Sequence, residues 1–315
     1  MLPYPEIDPV AFSIGPLTIA GKTLGPLEVH WYGLMYLFGL AGGWLVALPR
    51  LRRPGNVVNT KQVDDLVFYL AMGLIIGARA GYVFFYNFEL FAADPMYLFR
   101  LWEGGMSFHG GMLGGAVSLA IYSRKIKQHP VDVLDFTAVY IPIGLFCGRM
   151  GNFIGSELYG RATDVPWAMV FPSDPEQLPR HPSQLYEAFL EGIVLLGILY
   201  WFSNKPRPRG AVAALAILGY GIFRFSVEFV REPDSHIGFD AFNWMTRGQI
   251  LCIPMIAFGL FVLTWTYYKQ YQKSAGLQAT DGGLQDDTPI EYEPSETVAA
   301  PSKKSKNKKK KKGKR

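Results

Sequence analysis

The sequence predicts an all-α polytopic membrane protein with about seven transmembrane helices and a small external cap. Half of its 315 residues are hydrophobic and only 18% are charged, a balance that excludes a disordered or collagen-like chain. Apolar stretches of about 20 residues recur along the chain, and a helix of about 20 residues crosses a ~30 Å hydrocarbon layer. Cations cluster in every second loop, as expected when alternate loops remain in the cytoplasm.

The predicted helices follow the apolar stretches in order. They cover residues 29–48, 63–85, 107–122, 133–153, 184–202, 211–230 and 249–268. Glycines recur four residues apart in the third helix, at Gly110 and Gly114 and again at Gly111 and Gly115. This spacing predicts that the backbone of another helix approaches closely.

Three regions are predicted along the chain. Residues 1–27 form an external N-terminal arm with a short hairpin. Residues 28–270 form the seven-helix membrane domain, within which residues 155–183 form the external cap. Residues 271–315 are first acidic and then almost entirely Lys, so they are predicted to be a disordered cytoplasmic tail.

The charges of the loops predict the orientation in the membrane. Ten cations lie between the first and second, the third and fourth, and the fifth and sixth helices: Arg50, Arg52, Arg53, Lys61, Arg124, Lys125, Lys127, Lys205, Arg207 and Arg209. Loop cations hold a segment in the cytoplasm during insertion, so the amino terminus is predicted outside and the carboxyl terminus inside. The polybasic tail is expected to attract membrane lipids, and nucleic acid is not an expected partner.

The two cysteines exclude a disulfide framework. Cys147 and Cys252 both fall within apolar stretches, where free thiols are ordinarily packed as small apolar side chains. No cluster of metal-ligating residues and no phosphate-cradling glycine loop is apparent in the sequence. Neither a metal nor a cofactor is therefore expected.

Ionisable residues within or at the outer ends of the predicted helices are the informative ones. They are Arg79, His109, Arg149, Glu157, Glu187, Glu191, Arg224, Glu228 and Arg231. A guanidinium within hydrocarbon costs about 2.5–3.5 kcal/mol on insertion scales, so such residues normally face a protein cavity and have partners. In the sixth helix, Tyr220, Arg224, Glu228 and Arg231 lie along one stripe.

The predicted topology brings polar residues from several helices to one depth near the outer surface. Arg149 and Asn152 end the fourth helix, and His109 begins the third. Tyr32 lies near the start of the first, and Glu187 begins the fifth. One interpretation is a set of internal ion pairs that stabilises the bundle. The favoured one is a surplus of guanidinium groups that binds a phosphate. His109 is either a proton acceptor or a hydrogen-bonded structural histidine.

Five ordered segments carry a resemblance to a known family. Residues 148–160 read GRMGNFIGSELYG and resemble the signature of the bacterial prolipoprotein diacylglyceryl transferases. Similar segments are WYGLMY at 31–36, HGGM at 109–112, HPSQLYE at 181–187 and GYGIFR at 219–224. The likeness covers roughly residues 5–270. Gly155 and Ser156 depart from it, because the family usually has Asn and then Gly at these positions.

The resemblance implies transfer of the sn-1,2-diacylglyceryl group from phosphatidylglycerol to the lipobox cysteine of a preprolipoprotein. The products are a thioether and glycerol-1-phosphate. It also implies a multi-pass protein of the bacterial inner membrane with a periplasmic cap. Its partners are then phosphatidylglycerol, preprolipoprotein lipobox segments and membrane lipids.

The resemblance also suggests roles for residues. His109, Arg149 and Arg224 are the predicted catalytic residues, with His109 the first candidate for the base and water an alternative acceptor. The predicted substrate-binding residues are Tyr32, Arg149, Asn152, Glu157, Gly160, Tyr220, Glu228 and Arg231. Arg149 and Arg224 would bind the phosphate, whereas Glu228 and Tyr220 would orient Arg224.

Two other functions remain open at this point. A transporter or flippase for an anionic lipid or solute also needs arginines in a membrane cavity, but it predicts symmetry between halves of the chain, which is not obvious here. An intramembrane protease needs facing aspartates, a Ser–His pair or a zinc motif. The nearest aspartates, including Asp132 and Asp135, lie at predicted cytoplasmic helix ends, where capping explains them.

Overall fold

The computed structural model describes residues 1–19, 22–52, 56–232, 239–241 and 244–281. The helical bundle belongs to one compact unit, Met1–Gln272, and a second unit comprises Lys273–Arg315. The Lys-rich run predicted to be disordered lies outside the described residues.

The described part of the chain is mainly helical. Its helices are α1 (Trp31–Leu51), α2 (Val63–Tyr86), α3 (Phe88–Ala93), α4 (Phe108–Lys125), α5 (Pro130–Ala138), α6 (Ile141–Ile154), α7 (Ser183–Glu187), α8 (Leu195–Phe202), α9 (Ala211–Val227) and α10 (Arg247–Asp281). A π-helical segment, Ala188–Val194, joins α7 to α8, and short 3₁₀ turns cover Pro95–Phe99 and Leu101–Glu103.

Eight short strands form four antiparallel pairs among the described residues. They are β1 (Val10–Ile14) with β4 (Leu27–His30), β2 (Leu17–Ile19) with β3 (Lys22–Leu24), β5 (Met169–Val170) with β6 (Pro179–Arg180), and β7 (Phe239–Ala241) with β8 (Met245–Thr246). The first two pairs form the hairpin expected in the N-terminal arm.

Four of the described helices are long and apolar enough to cross a membrane, or five if one bent pair counts as a single span. The four are Trp31–Leu51, Val63–Tyr86, Ser183–Phe202 and Arg247–Ala275. The predicted number of seven is therefore not confirmed. Helix α9 has 17 residues, fewer than the about 20 that a full crossing needs. Helix α4 is rich in glycine, which makes it less apolar than its neighbours.

The helix predicted over 133–153 is broken in two. Helices α5 and α6 meet at an angle of 49°. Pro142 lies in the first turn of α6, where a proline is tolerated because the amide groups there have no intrahelical acceptor. Its ring would clash with the carbonyl group four residues earlier, at Ala138, so α5 ends there and a second helix begins at Ile141.

Glycines bring α2 and α4 into backbone contact. A Cβ atom added to Gly77 would lie 2.7 Å from the Cα atom of Gly114, and one added to Gly81 would lie 2.7 Å from the Cα atom of Gly110. Any larger side chain at these positions would separate the helices. The close approach predicted from the glycine spacing is therefore confirmed, and it fixes the first turn of α4, which carries His109.

The segment after α6 packs on the N-terminal residues. Phe153 and Phe171 are buried together, and the Tyr4 hydroxyl donates a hydrogen bond of 2.6 Å to the Phe153 carbonyl oxygen. Asp174 accepts two hydrogen bonds from the Arg180 guanidinium, at 2.7 and 3.0 Å. These contacts give residues 155–183 a fixed structure next to the carboxyl end of α6.

Candidate functional site

Six charged side chains from three helical segments meet and form what we call the Arg–Glu cluster. Its members are Arg149, Glu187, Glu191, Arg224, Glu228 and Arg231. Arg149 lies near the end of α6, Glu187 and Glu191 lie in the span 183–202, and the others lie at the end of α9 or just beyond it. The convergence predicted from the topology is thus present for Arg149 and Arg224.

Glu187 joins the two arginines. Its Oε2 atom lies 3.0 Å from Arg149 Nε, and its Oε1 atom accepts a hydrogen bond of 2.5 Å from Arg224 Nη1. Glu191 adds a longer contact of 3.4 Å to Arg149 Nη2. One carboxylate thereby joins two guanidinium groups, Arg224 through a charge-assisted hydrogen bond and Arg149 through an ion pair.

Glu228 orients the other side of Arg224. Its Oε2 atom lies 2.8 Å from Arg224 Nη2 and 3.8 Å from Arg231 Nη1. The Thr246 hydroxyl donates a hydrogen bond of 2.8 Å to Glu228 Oε1. The i, i+4 spacing of Arg224 and Glu228, predicted from the sequence, therefore produces a direct ion pair.

The π-helical segment shapes the cluster. Glu187 immediately precedes this segment and Glu191 lies within it. A π-helical turn widens the helix and recurs at functional sites. Here it lies where both carboxylates contact the Arg149 guanidinium, and both residues are fully buried.

The prediction of a surplus of guanidinium groups is wrong for this cluster. Three arginines face three carboxylates, so the cluster is formally neutral when all six groups are ionised. The reason is that Glu187 and Glu191 approach from another helix, which a stripe on α9 cannot reveal. A charge isolated in the interior would be too costly, so the arginines are paired.

The cations are nevertheless the accessible part of the cluster. The side chains of Arg149, Arg224 and Arg231 are 17%, 11% and 14% exposed, whereas those of Glu187 and Glu191 are fully covered. Among the described residues, the buried Arg231 Nε atom has no hydrogen-bond partner, and neither do the buried Glu187 Oε2, Glu191 Oε1 and Glu228 Oε2 atoms. An incoming anion would therefore meet guanidinium groups before carboxylates.

Tyr32, Asn152 and Tyr220 lie on the helices that carry or contact the cluster. The Tyr32 ring covers Gly151 of α6, since a Cβ atom there would lie 3.0 Å from Tyr32 Cδ2. Asn152 is buried in the same helix. Tyr220 lies in α9 one turn before Arg224, whose guanidinium donates a hydrogen bond to Glu187.

Glu157 and Gly160 lie just beyond α6. The Glu157 side chain is exposed, and its carbonyl oxygen accepts a hydrogen bond of 2.6 Å from Gln184 Nε2. Gly160 pairs with Arg231 in an isolated antiparallel bridge. A Cβ atom on Gly160 would collide with the Val230 carbonyl oxygen, so this position accommodates only glycine and ties the segment to the cluster.

Ser156, one of the two departures from the family pattern, has a left-handed backbone with φ of 56°. Glycine adopts this conformation without steric cost, which explains why it is usual there. The Ser156 hydroxyl is 2.9 Å from the Ser173 hydroxyl. Serine at this position lacks the backbone freedom of glycine, but its hydroxyl makes a side-chain contact that glycine cannot make.

His109 lies apart from these contacts. It is exposed in the first turn of α4, and its ring makes an edge contact with Phe108 at 5.8 Å between centroids. In the part of the chain that the structure describes, it has no hydrogen bond to the Arg–Glu cluster. The structure therefore favours neither a hydrogen-bonded structural role nor a direct contact with the arginines.

Arg79 has a structural role. Its guanidinium donates hydrogen bonds to the carbonyl oxygens of Tyr97, at 2.6 Å, and Arg100, at 2.9 Å. Its carbon Cζ also lies 4.7 Å from the centre of the Tyr97 ring. These bonds fold the segment between α3 and α4, so this buried cation is explained without a ligand.

The comparisons with known proteins agree with this geometry. The sequence profile described as prolipoprotein diacylglyceryl transferase matches residues 18–265. The chain belongs to this family. It is 58% identical over 267 residues to the phosphatidylglycerol–prolipoprotein diacylglyceryl transferase of Teredinibacter turnerae, across 85% of this chain and 93% of the relative.

Two further relatives have the same name. The protein from Methylococcus capsulatus is 55% identical over 271 residues, across 86% of this chain and 99% of the relative. The protein from Pseudomonas putida is 52% identical over 272 residues, across 86% of this chain and 98% of the relative. Family membership confirms the resemblance, and together with the apolar helices it shows that the chain is a transferase and a multi-pass membrane protein.

Three members of the site were given no role in advance. Glu187 and Glu191 were predicted to be informative acids within an apolar stretch, and Glu187 was expected among the converging polar residues, but neither was expected to hold the arginines. Thr246 gave no signal, because its partner Glu228 is 18 residues away in the sequence. The i, i+4 spacing of the two acids was the available indication.

Proposed function

We propose that this protein transfers the sn-1,2-diacylglyceryl group from phosphatidylglycerol to the lipobox cysteine of a prolipoprotein. The cysteine sulfur forms a bond to the glyceride carbon, and the bond from that carbon to the phosphate oxygen breaks. The leaving group is glycerol-1-phosphate, and the thiol proton passes to a base. Such a displacement requires cations at the phosphate, because negative charge grows on the departing oxygen.

The observation that carries the proposal is the pair of arginines joined by Glu187. Arg149 and Arg224 contact the two oxygens of one carboxylate at 3.0 and 2.5 Å. Two guanidinium groups held this closely form a fork that matches the oxygens of a phosphodiester. Glu187 keeps them together despite their mutual repulsion, which makes it a positioning residue.

The other predicted residues complete the proposal. Arg231, whose side chain is 14% exposed, supplies a third donor to the phosphate. Tyr32, Asn152, Glu157 and Tyr220 hold the head group around it, while Gly160 fixes the segment against the cluster. His109 accepts the thiol proton, because its exposed position at the start of α4 leaves it open to a substrate peptide.

The proposal includes a topology. Seven helical segments cross the bacterial inner membrane, counting α4, the bent pair and α9, with the amino terminus and residues 155–183 in the periplasm and the carboxyl terminus in the cytoplasm. The alternation of cationic loops supports this orientation. The Arg–Glu cluster then lies near the periplasmic surface, where lipobox segments and membrane lipids both arrive.

Reconstitution tests the proposed reaction. The purified full chain is placed in phosphatidylglycerol vesicles with a lipobox peptide, and the peptide is followed by mass spectrometry. We expect a diacylglyceryl mass increment, none on a Cys→Ser peptide, and equimolar glycerol phosphate. Arg149→Ala is expected to reduce the rate by at least about 100-fold, the effect of losing one preorganised donor to a developing anion.

Lys125→Gln is the matched control for Arg149→Ala. It removes an exposed cation whose partner, Asp65, lies 2.8 Å away on the surface of the bundle, and wild-type turnover is expected. A protein that moves labelled phosphatidylglycerol between leaflets without modifying the peptide would be a flippase. That result, or normal turnover by Arg149→Ala, contradicts the proposal.

A further inference from the structure

A polar cavity, which we call the basic pocket, lies at the end of the bundle opposite the Arg–Glu cluster. It has a volume of about 380 Å³ and is lined by residues of α1, α5, α9 and the loop after α8. Val212 lines it from the first turn of α9, whereas Arg224 of the Arg–Glu cluster lies about 18 Å further along the same helix. The two sites are thus separate.

Two aspartates in the basic pocket already have partners. Asp132 accepts two hydrogen bonds from Arg209, at 2.7 and 2.8 Å. Asp135 accepts hydrogen bonds from the main-chain amides of Gly210, at 2.6 Å, and Ala213, at 2.8 Å. Asp135 therefore caps α9, and in the described part of the chain neither carboxylate forms an ion pair with Arg50, Lys205 or Arg207.

Three cations of the pocket have no carboxylate partner among the described residues: Arg50, Lys205 and Arg207. Arg50 is only 7% exposed. Its guanidinium donates to the Ser203 hydroxyl at 2.8 Å and to the Ser203 carbonyl oxygen at 2.6 Å, and it lies over the Tyr200 ring at 4.8 Å. A buried cation with only neutral partners favours an anion nearby.

The lining also includes apolar side chains. Val57, Phe136 and Val139 face the pocket alongside the cations. Trp201, 72% exposed on the neighbouring helix end, is typical of the membrane interface. A free phosphate would satisfy the cations and leave the apolar lining uncovered. A phospholipid satisfies both, with its phosphate on the cations and its glycerol and first acyl carbons on the apolar side chains.

We propose that the basic pocket binds the head group of an anionic phospholipid from the adjoining leaflet, which is the cytoplasmic one in the topology above. Arg50, Lys205 and Arg207 bind the phosphate. Basic pockets between helices at this surface are suited to anionic head groups. The site is distinct from the Arg–Glu cluster, and the lipid bound there undergoes no reaction.

Native mass spectrometry of the full chain, released from detergent with dioleoyl phosphatidic acid, tests the proposal. The double variant Lys205→Gln/Arg207→Gln is compared with Arg124→Gln, which removes an exposed cation from the same end of the bundle outside the pocket. We expect the double variant to bind the lipid at least about tenfold more weakly, and Arg124→Gln to bind it as the wild type does. The same weakening of lipid binding is expected when Arg149→Ala is also present. That result would show that the lipid binds independently of the Arg–Glu cluster.

Two further arms identify the ligand. Phosphatidylcholine, which has no net charge, is expected to be retained poorly by every variant. Inorganic phosphate is expected not to displace phosphatidic acid at equal concentration. Equal lipid retention by the double variant and Arg124→Gln would overturn the proposal, and displacement by inorganic phosphate would show a site for a free anion instead. Thermal unfolding of the double variant near the wild-type temperature establishes that its bundle is intact.

Discussion

Substitution of Glu187 by Gln removes the charge that joins Arg149 to Arg224 while keeping the shape of the side chain. Glu187 is fully buried and contacts both guanidinium groups, at 3.0 and 2.5 Å. Removal of one partner from a buried ion pair costs about 3–5 kcal/mol. That cost falls on the stability of the fold. Transfer slows for a separate reason: arginines that are no longer held in place are lost as preorganised donors to the phosphate, an effect of about 100-fold or more on the rate.

Glu191→Gln provides the comparison from the same segment. Glu191 contacts Arg149 at 3.4 Å and does not join it to Arg224, so we expect its substitution to leave the two arginines together and to slow transfer by less than about tenfold. Asp65→Asn breaks an exposed pair with Lys125 and should leave the rate unchanged. Comparison of these variants distinguishes the loss of arginine positioning from the mere removal of a negative charge.

The assay measures peptide transfer against phosphatidylglycerol concentration, together with thermal unfolding of each variant in detergent. For Glu187→Gln we expect the decrease mainly in kcat, since the guanidinium groups remain but no longer match the transition state. A Glu187→Gln protein with wild-type kcat, or one slowed no more than Glu191→Gln, would refute the positioning role.

Three further predictions concern residues around the cluster. His109→Gln should slow transfer and flatten the pH–rate profile, whereas an unchanged profile would remove His109 from the mechanism. Gly160→Ala should lower the unfolding temperature, because the added methyl group meets backbone and lies 2.7 Å from His181 Cβ; Gly197→Ala, in open space within a helix, should not lower it. The Arg180 guanidinium lowers the pKa of the Asp174 carboxyl below its ordinary 3.8, so the pair stabilises the fold at neutral pH and this contribution is lost on acidification below about that value. Asp174→Asn should reduce that acid dependence of the unfolding temperature, and an identical profile would contradict it.

The sequence predicted those elements that depend on local pattern. The first two apolar stretches, expected over 29–48 and 63–85, are the helices Trp31–Leu51 and Val63–Tyr86. Length and apolarity suffice there, because a helix in lipid satisfies its backbone internally. The break before Ile141–Ile154 was missed although Pro142 indicated it, since apolarity continues across the bend.

The site was only partly predictable. The stripe of Arg224 and Glu228 is local, and the helix geometry alone places the two side chains together. Pairing between helices is different. The contact of Glu187 with Arg149 depends on which faces of two helices meet, and the spacing of residues along one helix does not specify this. The predicted excess of positive charge in the cluster was wrong for that reason.

The central claim is that the guanidinium groups of Arg149 and Arg224 bind the phosphate of phosphatidylglycerol. Solid-state NMR with ¹⁵N-labelled arginine measures the proximity of guanidinium nitrogen to phosphorus directly. The ³¹P nucleus of the lipid dephases the signals of guanidinium nitrogens that lie close to it. We predict strong dephasing in the wild type and loss of that component in Arg149→Lys/Arg224→Lys. Equal dephasing in the double variant and the wild type would contradict the account.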